Sequence, residues 1–371
     1  MKEYKVLHIF SSYSMGGAER AMLLLAKNLQ KSKKSINIVA VPKNSKLFEQ
    51  AVYQDFKTVH FKTNNSLDPF GILALVRIIK KYKINIVHVH QGKLYWTALF
   101  AKIFYFRIKV VFHRRQDTRH GFISKVHYYF ADAVIAVSRA VAEGLIKYEK
   151  VPFNKISVIY NGVNFDKFNN CRINCDEIVK KYNLKNKIVV GTVGSALNFK
   201  GKGQIYLIEA AKILKNRYPQ LRYLIVGDGK GIAKQKDYAK KLNVHDIVYF
   251  TGHQEQVQKF ILIMNIFCLL SWHTEGMPNV VIEAQMLGKP VIVTNIGGNS
   301  ESFINGITGV MVGPSNSFQV SEAIKKFVDN PNLSKQMGIA GKYFVKMNFS
   351  MDNMVNNILK VYSRITNSDF N

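Results

Sequence analysis

The chain alternates between short apolar runs, rich in β-branched residues, and longer stretches whose apolar residues recur at helical spacing. Six runs predict the strands of a first domain: Val6–Phe10, Ile36–Val41, Ile86–His90, Lys109–His113, Ala133–Val137 and Ile156–Ile159. Ala18–Gln30 and Asp68–Tyr82 have the spacing of helices. In the second helix, Asp68 suits an N-cap and Pro69 the first helical position. Because the runs are apolar throughout, they predict a parallel sheet that is buried on both faces.

The same alternation begins again after a polar, asparagine-containing linker. Six further runs predict strands: Lys187–Val193, Leu221–Val226, Ile247–Phe250, Ile266–Leu270, Pro290–Thr294 and Gly309–Val312. Gln204–Tyr218 and Phe349–Ile365 have helical spacing. A chain of 371 residues exceeds the usual size of one domain. We therefore predict an α/β fold of two tandem Rossmann-like, doubly wound domains, residues 1–165 and 166–346, and a helical segment at 347–371.

The loops that follow strands are where an α/β protein binds ligands, so two facing domains would enclose the chemistry in a cleft. Gly16 and Gly17 follow the first strand and open a helix, whose start offers N–H groups to an anion. Gly194, Lys200 and Lys202 occupy the equivalent loop of the second domain, where lysines beside backbone donors suit a diphosphate. Neither loop matches a dinucleotide fingerprint or a Walker A loop. A tight turn and a solvated basic loop are the alternatives.

The most informative motif is Glu275-Gly-Met-Pro-Asn-Val-Val-Ile-Glu283, which follows an apolar strand. We expect Glu275 in the loop and Glu283 two turns into a helix that starts near Pro278, so that both carboxylates border one ligand. Carboxylates accept hydrogen bonds from sugar hydroxyls, and the amides beside Pro278 suit phosphate or sugar oxygens. Two ordinary surface glutamates are the alternative.

Three of the histidines on predicted strands of the first domain are candidates for a functional role. His113 ends its strand on the side where ligands bind, although a partly buried structural histidine is the alternative. His88 and His90 are two residues apart and share one face of a strand, and we interpret the pair as packing rather than as metal ligands. A further glycine loop, Gly297–Glu301, follows a strand of the second domain.

The chain is strongly basic, with 53 Lys and Arg against 24 Asp and Glu and a net charge of +29. Residues 1–165 contribute +18 of this and residues 166–371 contribute +11. A basic surface attracts nucleic acid, anionic lipid headgroups or phosphorylated substrates. A general compositional bias toward lysine is the alternative, and it explains the second domain better than the first.

Cysteine usage and hydropathy indicate the cellular compartment in which we expect the protein. Cys171, Cys175 and Cys268 cannot form a paired framework and suit free thiols in a reducing compartment. The first residues lack the apolar region of a secretory signal, and basic residues interrupt every long apolar run. We expect a cytoplasmic protein, with at most peripheral contact to the inner face of the cytoplasmic membrane.

Taken in order, these features resemble glycosyltransferase family 4, a group of retaining enzymes with the GT-B fold. The resemblance spans about residues 5–365 and includes Asn161-Gly-Val and Gly227-Asp-Gly. Its most specific part is the pair of glutamates separated by seven residues. The resemblance implies transfer of a hexose from a nucleotide-diphosphate sugar with retention of configuration. It also implies that the donor is a substrate, that no cofactor or metal is bound, and that the last helix crosses back to the first domain.

The resemblance further implies roles for particular residues. Glu275 would lie over the donor sugar hydroxyls, His113 would contact the sugar near the reacting carbon, and Lys200 would neutralise the departing diphosphate. The implied donor-binding set, with Glu283 on the ribose, is Gly16, Gly17, Gly194, Lys200, Asn279, Val280 and Glu283. The family commonly has Arg where this chain has Ser195, so one phosphate-binding cation is missing unless Lys202 replaces it.

The acceptor is expected to be a glycan, a lipid-linked sugar or a phosphorylated molecule such as a lipopolysaccharide core. Aromatic segments at Leu94–Trp96 and Phe104–Phe106, among basic residues, suit binding to an anionic membrane. Arg114, Arg115 and Arg119 are candidates to face a phosphorylated acceptor. The alternatives are a nucleotide-sugar epimerase or hydrolase of the same fold and a nucleic-acid-binding protein. Carboxylates in the strand-end loops argue against a nucleic-acid groove there.

Overall fold

The computed structural model describes residues 3–116, 122–165 and 174–367. It divides into two compact units. Unit 1 comprises Met1–Gly162 with Met351–Asn371, and unit 2 comprises Val163–Ser350.

Some residues used in the sequence predictions are not described. Part of the polar linker before the second domain, together with Cys171 and Arg119, lies outside the described residues. Within the described ranges, no helix combines the length and the apolar character needed to cross a bilayer.

The described part of unit 1 contains a sheet of seven parallel strands. They are β1 (Tyr4–Ile9), β2 (Ser35–Val41), β3 (Lys57–His60), β4 (Ile86–Val89), β5 (Lys109–Arg114), β6 (Ala133–Ala136) and β7 (Ile156–Val158). The order across the sheet is β3-β2-β1-β4-β5-β6-β7, so the winding reverses between β1 and β4. The six predicted strands are confirmed. Strand β3 is an addition, because this partly exposed edge strand lacks the apolar run of a buried one.

Helices connect these strands on both faces of the sheet. They are α1 (Gly17–Lys31), α2 (Lys46–Tyr53), α3 (Pro69–Tyr82), α4 (Tyr95–Phe104), α5 (Phe122–Phe130) and α6 (Arg139–Lys147). Helix α3 begins as predicted, since Asp68 Oδ1 accepts the Phe70 N–H at 3.0 Å and Pro69 is the first helical residue. The start of α4 differs from expectation. Leu94 and Tyr95 are buried, so they pack in the core instead of facing lipid.

Unit 2 repeats the architecture with six parallel strands. They are β8 (Ile188–Val193), β9 (Leu221–Val226), β10 (Val248–Gly252), β11 (Ile266–Leu269), β12 (Val291–Thr294) and β13 (Gly309–Val312). The order is β10-β9-β8-β11-β12-β13, with the reversal between β8 and β11. All six predicted strands are confirmed to within a residue or two at their ends. Both faces are covered by apolar clusters, as a parallel sheet requires.

Seven described helices complete unit 2. They are α7 (Asp176–Lys181), α8 (Gln204–Leu214), α9 (Ile232–Lys241), α10 (Val257–Ile263), α11 (Asn279–Met286), α12 (Ser317–Asp329) and α13 (Pro331–Asn348).

The last helix, α14 (Met351–Asn367), belongs to unit 1 although it follows unit 2 in the chain. Its buried residues Met354, Ile358 and Tyr362 recur every four positions and therefore form one stripe. This stripe packs in one cluster with Val6 of β1 and Ile86 of β4. The core of unit 1 is thus built from both ends of the chain.

Candidate active site

Each sheet has one point where its winding reverses, and open α/β sheets bind ligands at such points. The point lies between β1 and β4 in unit 1, and between β8 and β11 in unit 2. The glycine loop at Gly16 follows β1, the loop at Gly194 follows β8, and the glutamate motif follows β11. The motifs therefore lie where the topology places a ligand.

In unit 2, an ion pair joins the two loops at the reversal point. Lys202 Nζ donates to both carboxylate oxygens of Glu275, at 2.6 and 2.8 Å. Ser271 Oγ donates to Glu275 Oε1 at 2.7 Å. The Glu275 side chain is only 12% exposed and that of Lys202 is 36% exposed, so the pair is partly shielded from water. The carboxylate is held in one position by charged and neutral donors together.

Glycine makes this junction possible. Gly203 has a φ of +83°, and a Cβ at this position would lie 1.8 Å from the carbonyl oxygen of Leu270. Only glycine allows this approach without displacing the backbone. The buried Gln204 then fixes the loop, because it accepts the Lys202 N–H at 2.6 Å and donates to the Gly194 carbonyl at 3.1 Å. The loop after β8 is therefore anchored to the end of β11.

The two lysines of this loop have different surroundings. Lys200, the residue assigned to the diphosphate, is exposed and its ammonium lies 4.7 Å from the centroid of the Trp272 ring. Trp272 in turn donates from Nε1 to the Gly201 carbonyl at 3.0 Å. Lys202 is the lysine that contacts Glu275. Both cations lie beside the glutamate loop, but Lys202 is the one in direct contact with it.

Helix α11 carries the rest of the glutamate motif. It begins at Asn279, after the N-cap Pro278, so Asn279 and Val280 are its first two residues. The first N–H groups of a helix have no carbonyl partner within it, and they carry the positive end of the helix dipole. Glu283 is the fifth helical residue and is half-buried. It lies one turn into the helix rather than the expected two, because the helix begins at Asn279 and not earlier.

The loop after β12 contacts the backbone of Glu275. Gly298 N donates to the Glu275 carbonyl at 2.8 Å. Gly297 has a φ of +50°, and a Cβ there would lie 2.4 Å from the same carbonyl oxygen. The Gly297–Glu301 motif, a short 3₁₀ helix, thus positions the backbone of the glutamate.

In unit 1, the loop after β1 ends in a self-capped helix. Gly16 is the N-cap of α1, and its N–H donates to Glu19 Oε2 at 3.0 Å. Gly16 and Gly17 are exposed, whereas Glu19 is buried. The two glycines leave the helix start accessible, although Glu19 already accepts the Gly16 N–H, and binding of an anion there stays a prediction.

A cluster of four buried histidines lies beside this loop on one face of the sheet: His8, His88, His90 and His113. His8 and His88 are partners in the pairing of β1 with β4. The centroids of neighbouring rings in the cluster are 4.3 to 5.4 Å apart. His113, which the sequence placed at the end of its strand, is 1% exposed.

Burial dominates the electrostatics of the cluster. It lowers the pKa of His8 to about 4, with the Arg115 guanidinium adding a smaller effect. It also lowers the pKa values of His88, His90 and His113 well below the usual range, with Arg115 and the neighbouring imidazoles contributing. Burial lowers the pKa of Arg115 to about 10. At neutral pH the cluster is therefore four neutral rings beside one cation.

Of the described residues, His8, His88 and His90 are the group placed to hold a metal, with one ring nitrogen of each within 4.8 Å of the others. Their rings are tilted or stacked, with interplanar angles of 20 to 33°. Zinc ligands converge their lone pairs on one point, which stacked rings do not do. Both ring nitrogens of His8 and of His88 also make hydrogen bonds within unit 1. The geometry favours a hydrogen-bonded network over a metal centre.

The arginines after His113 are less available than expected. Arg114 is buried, and Arg115 donates to Asn161 Oδ1 at 3.0 Å. Arg115 is thereby committed to unit 1 rather than directed at an acceptor.

Comparison with known proteins identifies the chain. The family described as Glycosyltransferase Family 4 matches residues 15–167, and Glycosyl transferases group 1 matches residues 175–344. The capsular polysaccharide biosynthesis glycosyltransferase CapM of Staphylococcus aureus is 26% identical over 97% of this chain and 99% of its own. The crystal structure of a glycosyltransferase from Rickettsia africae ESF-5 matches with a TM-score of 0.90 and 26% identity, covering 98% and 99% of the two chains. The chain belongs to glycosyltransferase family 4. Its fold is GT-B, with two Rossmann-like domains.

A further relative adds detail to the comparison. The UDP-Gal:alpha-D-GlcNAc-diphosphoundecaprenol alpha-1,3-galactosyltransferase of Escherichia coli is 29% identical to this family 4 glycosyltransferase over 72% of each chain.

In this family 4 glycosyltransferase, the predicted site residues fall into two sets. Gly194, Lys200, Glu275 and the start of α11 lie together in unit 2, whereas Gly16, Gly17 and His113 belong to unit 1. Sequence reasoning missed the contacts of Ser271 and Tyr362. A serine four residues before Glu275 was a signal for the first. The second had no local signal, because Tyr362 reaches its partner from the far end of the chain.

Proposed function

We propose that this family 4 glycosyltransferase transfers a hexose from a nucleotide-diphosphate sugar to a cell-envelope glycan, with retention of configuration. The observation that carries the proposal is Glu275, held by Lys202 and Ser271 at the reversal point of unit 2. Its carboxylate lies beside the loop that carries the two lysines. A donor bound there would place its sugar near the carboxylate and its diphosphate near the lysines. The names of CapM and the E. coli galactosyltransferase support a polysaccharide product and a UDP-sugar donor.

The donor-binding roles follow from position. The lysines of the Gly194 loop and the amides of Asn279 and Val280 supply positive charge for the diphosphate. Glu283, one turn into α11, accepts the ribose hydroxyls. Gly16 and Gly17 offer the open start of α1 to the phosphates. In this scheme lysines and helix dipoles neutralise the charge of the diphosphate, a role that a metal ion has in other enzymes, so no cofactor is part of the proposal.

The proposed reaction proceeds on one face of the sugar. Glu275 is already bound by a lysine and a serine, which suits it to sugar hydroxyls better than to nucleophilic attack. The acceptor hydroxyl forms the new C–O bond while the bond from the sugar carbon to the diphosphate oxygen breaks. The acceptor proton passes to that phosphate oxygen. Negative charge grows on the leaving diphosphate, where Lys200 and Lys202 stabilise it.

The experiment is a thermal-shift screen of the purified chain with UDP-, GDP- and ADP-sugars, followed by product analysis with lipid-linked and glycan acceptors. A ligand that binds the folded state raises its melting temperature. We expect one nucleotide class to do so and a glycoside to form. Free sugar or an epimer without a glycoside would favour a hydrolase or epimerase. Tight, salt-sensitive DNA or RNA binding with no response to nucleotide sugars would favour the nucleic-acid-binding alternative.

We also propose that unit 1 contacts an anionic membrane through one edge of its sheet. Phe104, Phe130 and Phe153 lie three to five residues before β5, β6 and β7. Because these strands are neighbours, all three residues lie near the amino edge of the sheet. They and Phe106 are 60 to 80% exposed. Lys155 donates to the Ala131 carbonyl at 3.0 Å, and Lys102 donates to the Phe130 carbonyl at 3.5 Å and pairs with Asp132 at 2.6 Å. Exposed aromatic side chains among cations suit the boundary of a bilayer.

Liposome co-sedimentation tests this surface. Phe104→Ser combined with Phe106→Ser should reduce binding to vesicles that contain phosphatidylglycerol. Phe318→Ser, an equally exposed phenylalanine in unit 2, serves as the control. Unchanged binding by the double variant, or equal binding to neutral vesicles, would remove this edge from the proposal.

A further inference from the structure

Two chains of hydrogen bonds run through the histidine cluster, and their directions can be worked out from what each group is able to donate. The first chain joins Arg115, His90, His8 and Asn37. Arg115 Nη2 lies 3.5 Å from His90 Nδ1, His90 Nε2 lies 3.0 Å from His8 Nδ1, and His8 Nε2 lies 3.0 Å from Asn37 Oδ1.

Both ends of this first chain are fixed. A guanidinium only donates, so His90 Nδ1 must accept and its proton must be on Nε2. That N–H donates to His8, whose own proton is then on Nε2 and reaches Asn37 Oδ1. Asn37 uses its amide nitrogen on the Ser35 carbonyl and hydroxyl, which leaves its oxygen as the acceptor. All three hydrogen bonds of the chain therefore run in a single direction, from Arg115 toward Asn37.

The second chain joins Tyr362, His88 and His113. The Tyr362 hydroxyl lies 2.7 Å from His88 Nδ1, and His88 Nε2 lies 3.1 Å from His113 Nδ1. In the described part of the protein, His113 Nε2 is buried and has no partner. A phenol hydroxyl can donate or accept, so this chain has two conceivable directions.

The two directions leave different numbers of unsatisfied groups. If Tyr362 donates, the protons lie on Nε2 of His88 and of His113, and the only unmatched group is the His113 N–H. If Tyr362 accepts, its own buried hydroxyl hydrogen has no acceptor and the His113 Nε2 lone pair has no donor. An unsatisfied buried group is costly enough to favour the first direction by about fivefold or more.

We propose that Tyr362 and His88 are positioning residues that hold His113 with its proton on Nε2, so that His113 donates a hydrogen bond to an oxygen of the bound nucleotide sugar. This inference rests on the proposed function for the identity of the ligand, but not for the direction of the chain. His113 then acts as a neutral donor and not as a base. The contact stabilises a hydroxyl or phosphate oxygen at the reversal point of unit 1, and α14 contributes to the site through Tyr362.

The test is long-range ¹H–¹⁵N correlation spectroscopy of the full chain labelled at histidine, at pH 7, with the His113 signals assigned through His113→Gln. The spectra show directly which ring nitrogen carries the proton. In the wild-type protein we expect His113 to be protonated on Nε2 with a population of about 80% or more, which corresponds to the fivefold preference.

Two matched variants test the chain. Tyr362→Phe keeps the ring in the core but removes the hydroxyl, after which both directions leave equally many unmatched groups. We expect His113 to become a mixture of tautomers. Tyr128→Phe removes another buried hydroxyl of unit 1, one with no partner among the described residues, and should leave His113 unchanged. A circular dichroism melt of each variant checks that it folds.

The outcomes are separable. A wild-type His113 with its proton on Nδ1, or as an imidazolium, overturns the proposal whether or not the variants fold. A folded Tyr362→Phe with an unchanged His113 also overturns it. The Nε2 signal is then followed as UDP-glucose, GDP-mannose or ADP-glucose is added. If the tautomer is as expected but no nucleotide sugar binds the protein at all, the proposed function has failed and the hydrogen-bond chain stands.

Discussion

The two reversal points of this family 4 glycosyltransferase share one topology, but the polar groups beside them are charged in unit 2 and neutral in unit 1. In unit 2 a lysine and a glutamate meet on loops, and glycines at Gly203 and Gly297 allow the loops to approach. In unit 1 the polar groups lie on the strands themselves, as four neutral, buried imidazoles. Charge held on loops suits an anionic ligand that arrives and leaves. A neutral donor fixed on a strand suits a single hydrogen bond to one ligand oxygen. The difference teaches that equivalent positions of one topology can carry very different polar groups.

The largest expected effect is on the charged site of unit 2. Glu275→Gln removes the carboxylate but keeps its size, and should lower kcat/KM by about 10²–10³-fold, the usual loss when a preorganised polar group is removed. Activity is measured with the nucleotide sugar found in the screen. Glu322→Gln, which breaks an exposed pair with Lys325 on α12, should have no effect. Wild-type turnover by Glu275→Gln would exclude Glu275 from the site.

The neutral site of unit 1 should be the acid-sensitive one. The unfolded chain takes up histidine protons near pH 6.5, whereas burial lowers the pKa of His8 to about 4 in the folded state. Protons then favour the unfolded state between these values, so the stability of unit 1 falls as the pH drops from about 6.5 to 4. His8 alone contributes about 3 kcal/mol to this loss.

Tryptophan fluorescence distinguishes the two units in this experiment. The chain has two tryptophans, Trp96 in unit 1 and Trp272 in unit 2. Urea unfolding of Trp272→Phe reports on unit 1, and unfolding of Trp96→Phe reports on unit 2. Equal loss of stability in both units between pH 6.5 and 5 would contradict the contrast between them.

The loops of unit 2 should be sensitive to a single methyl group. Gly203→Ala places a Cβ against the Leu270 carbonyl oxygen and forces a left-handed φ of +83° on alanine. We expect a loss of about 2–3 kcal/mol in the free energy of unfolding. Gly306 has a similar φ of +79° but open space around it, so Gly306→Ala should lose only about 1 kcal/mol. Equal losses in the free energy of unfolding for the two variants would mean that the close approach of Gly203 to the end of β11 does not affect stability.

The smallest effect separates the two lysines. Lys202→Ala should weaken binding of UDP by about tenfold, or about 1.4 kcal/mol, because Lys202 is fixed beside Glu275. Lys200→Ala should weaken it less, because Lys200 is exposed and lies over Trp272. Isothermal titration calorimetry with UDP measures both. A larger loss for Lys200→Ala would support the sequence-based assignment of Lys200 to the diphosphate.

The fold was largely predictable because buried parallel strands leave a continuous apolar signature. Strand β3 has none, since it is a partly exposed edge strand. The motifs of the candidate site in unit 2 were visible in the sequence, but the different surroundings of Lys200 and Lys202 were not. The contact of Lys202 with Glu275 lies next to the left-handed turn at Gly203, which spacing does not reveal. The histidine network depends on strand order, which brings His8 beside His88 across 80 residues of chain.

The return of α14 to unit 1 has a consequence for how the protein is made. Domains usually fold in the order in which they leave the ribosome. Here the residues of unit 2 are contiguous, whereas the apolar stripe of α14 that completes unit 1 is translated after all of them. The unit that starts first therefore finishes last. We therefore expect the sheet face that contains Val6 to stay uncovered by α14 until this last helix has been translated.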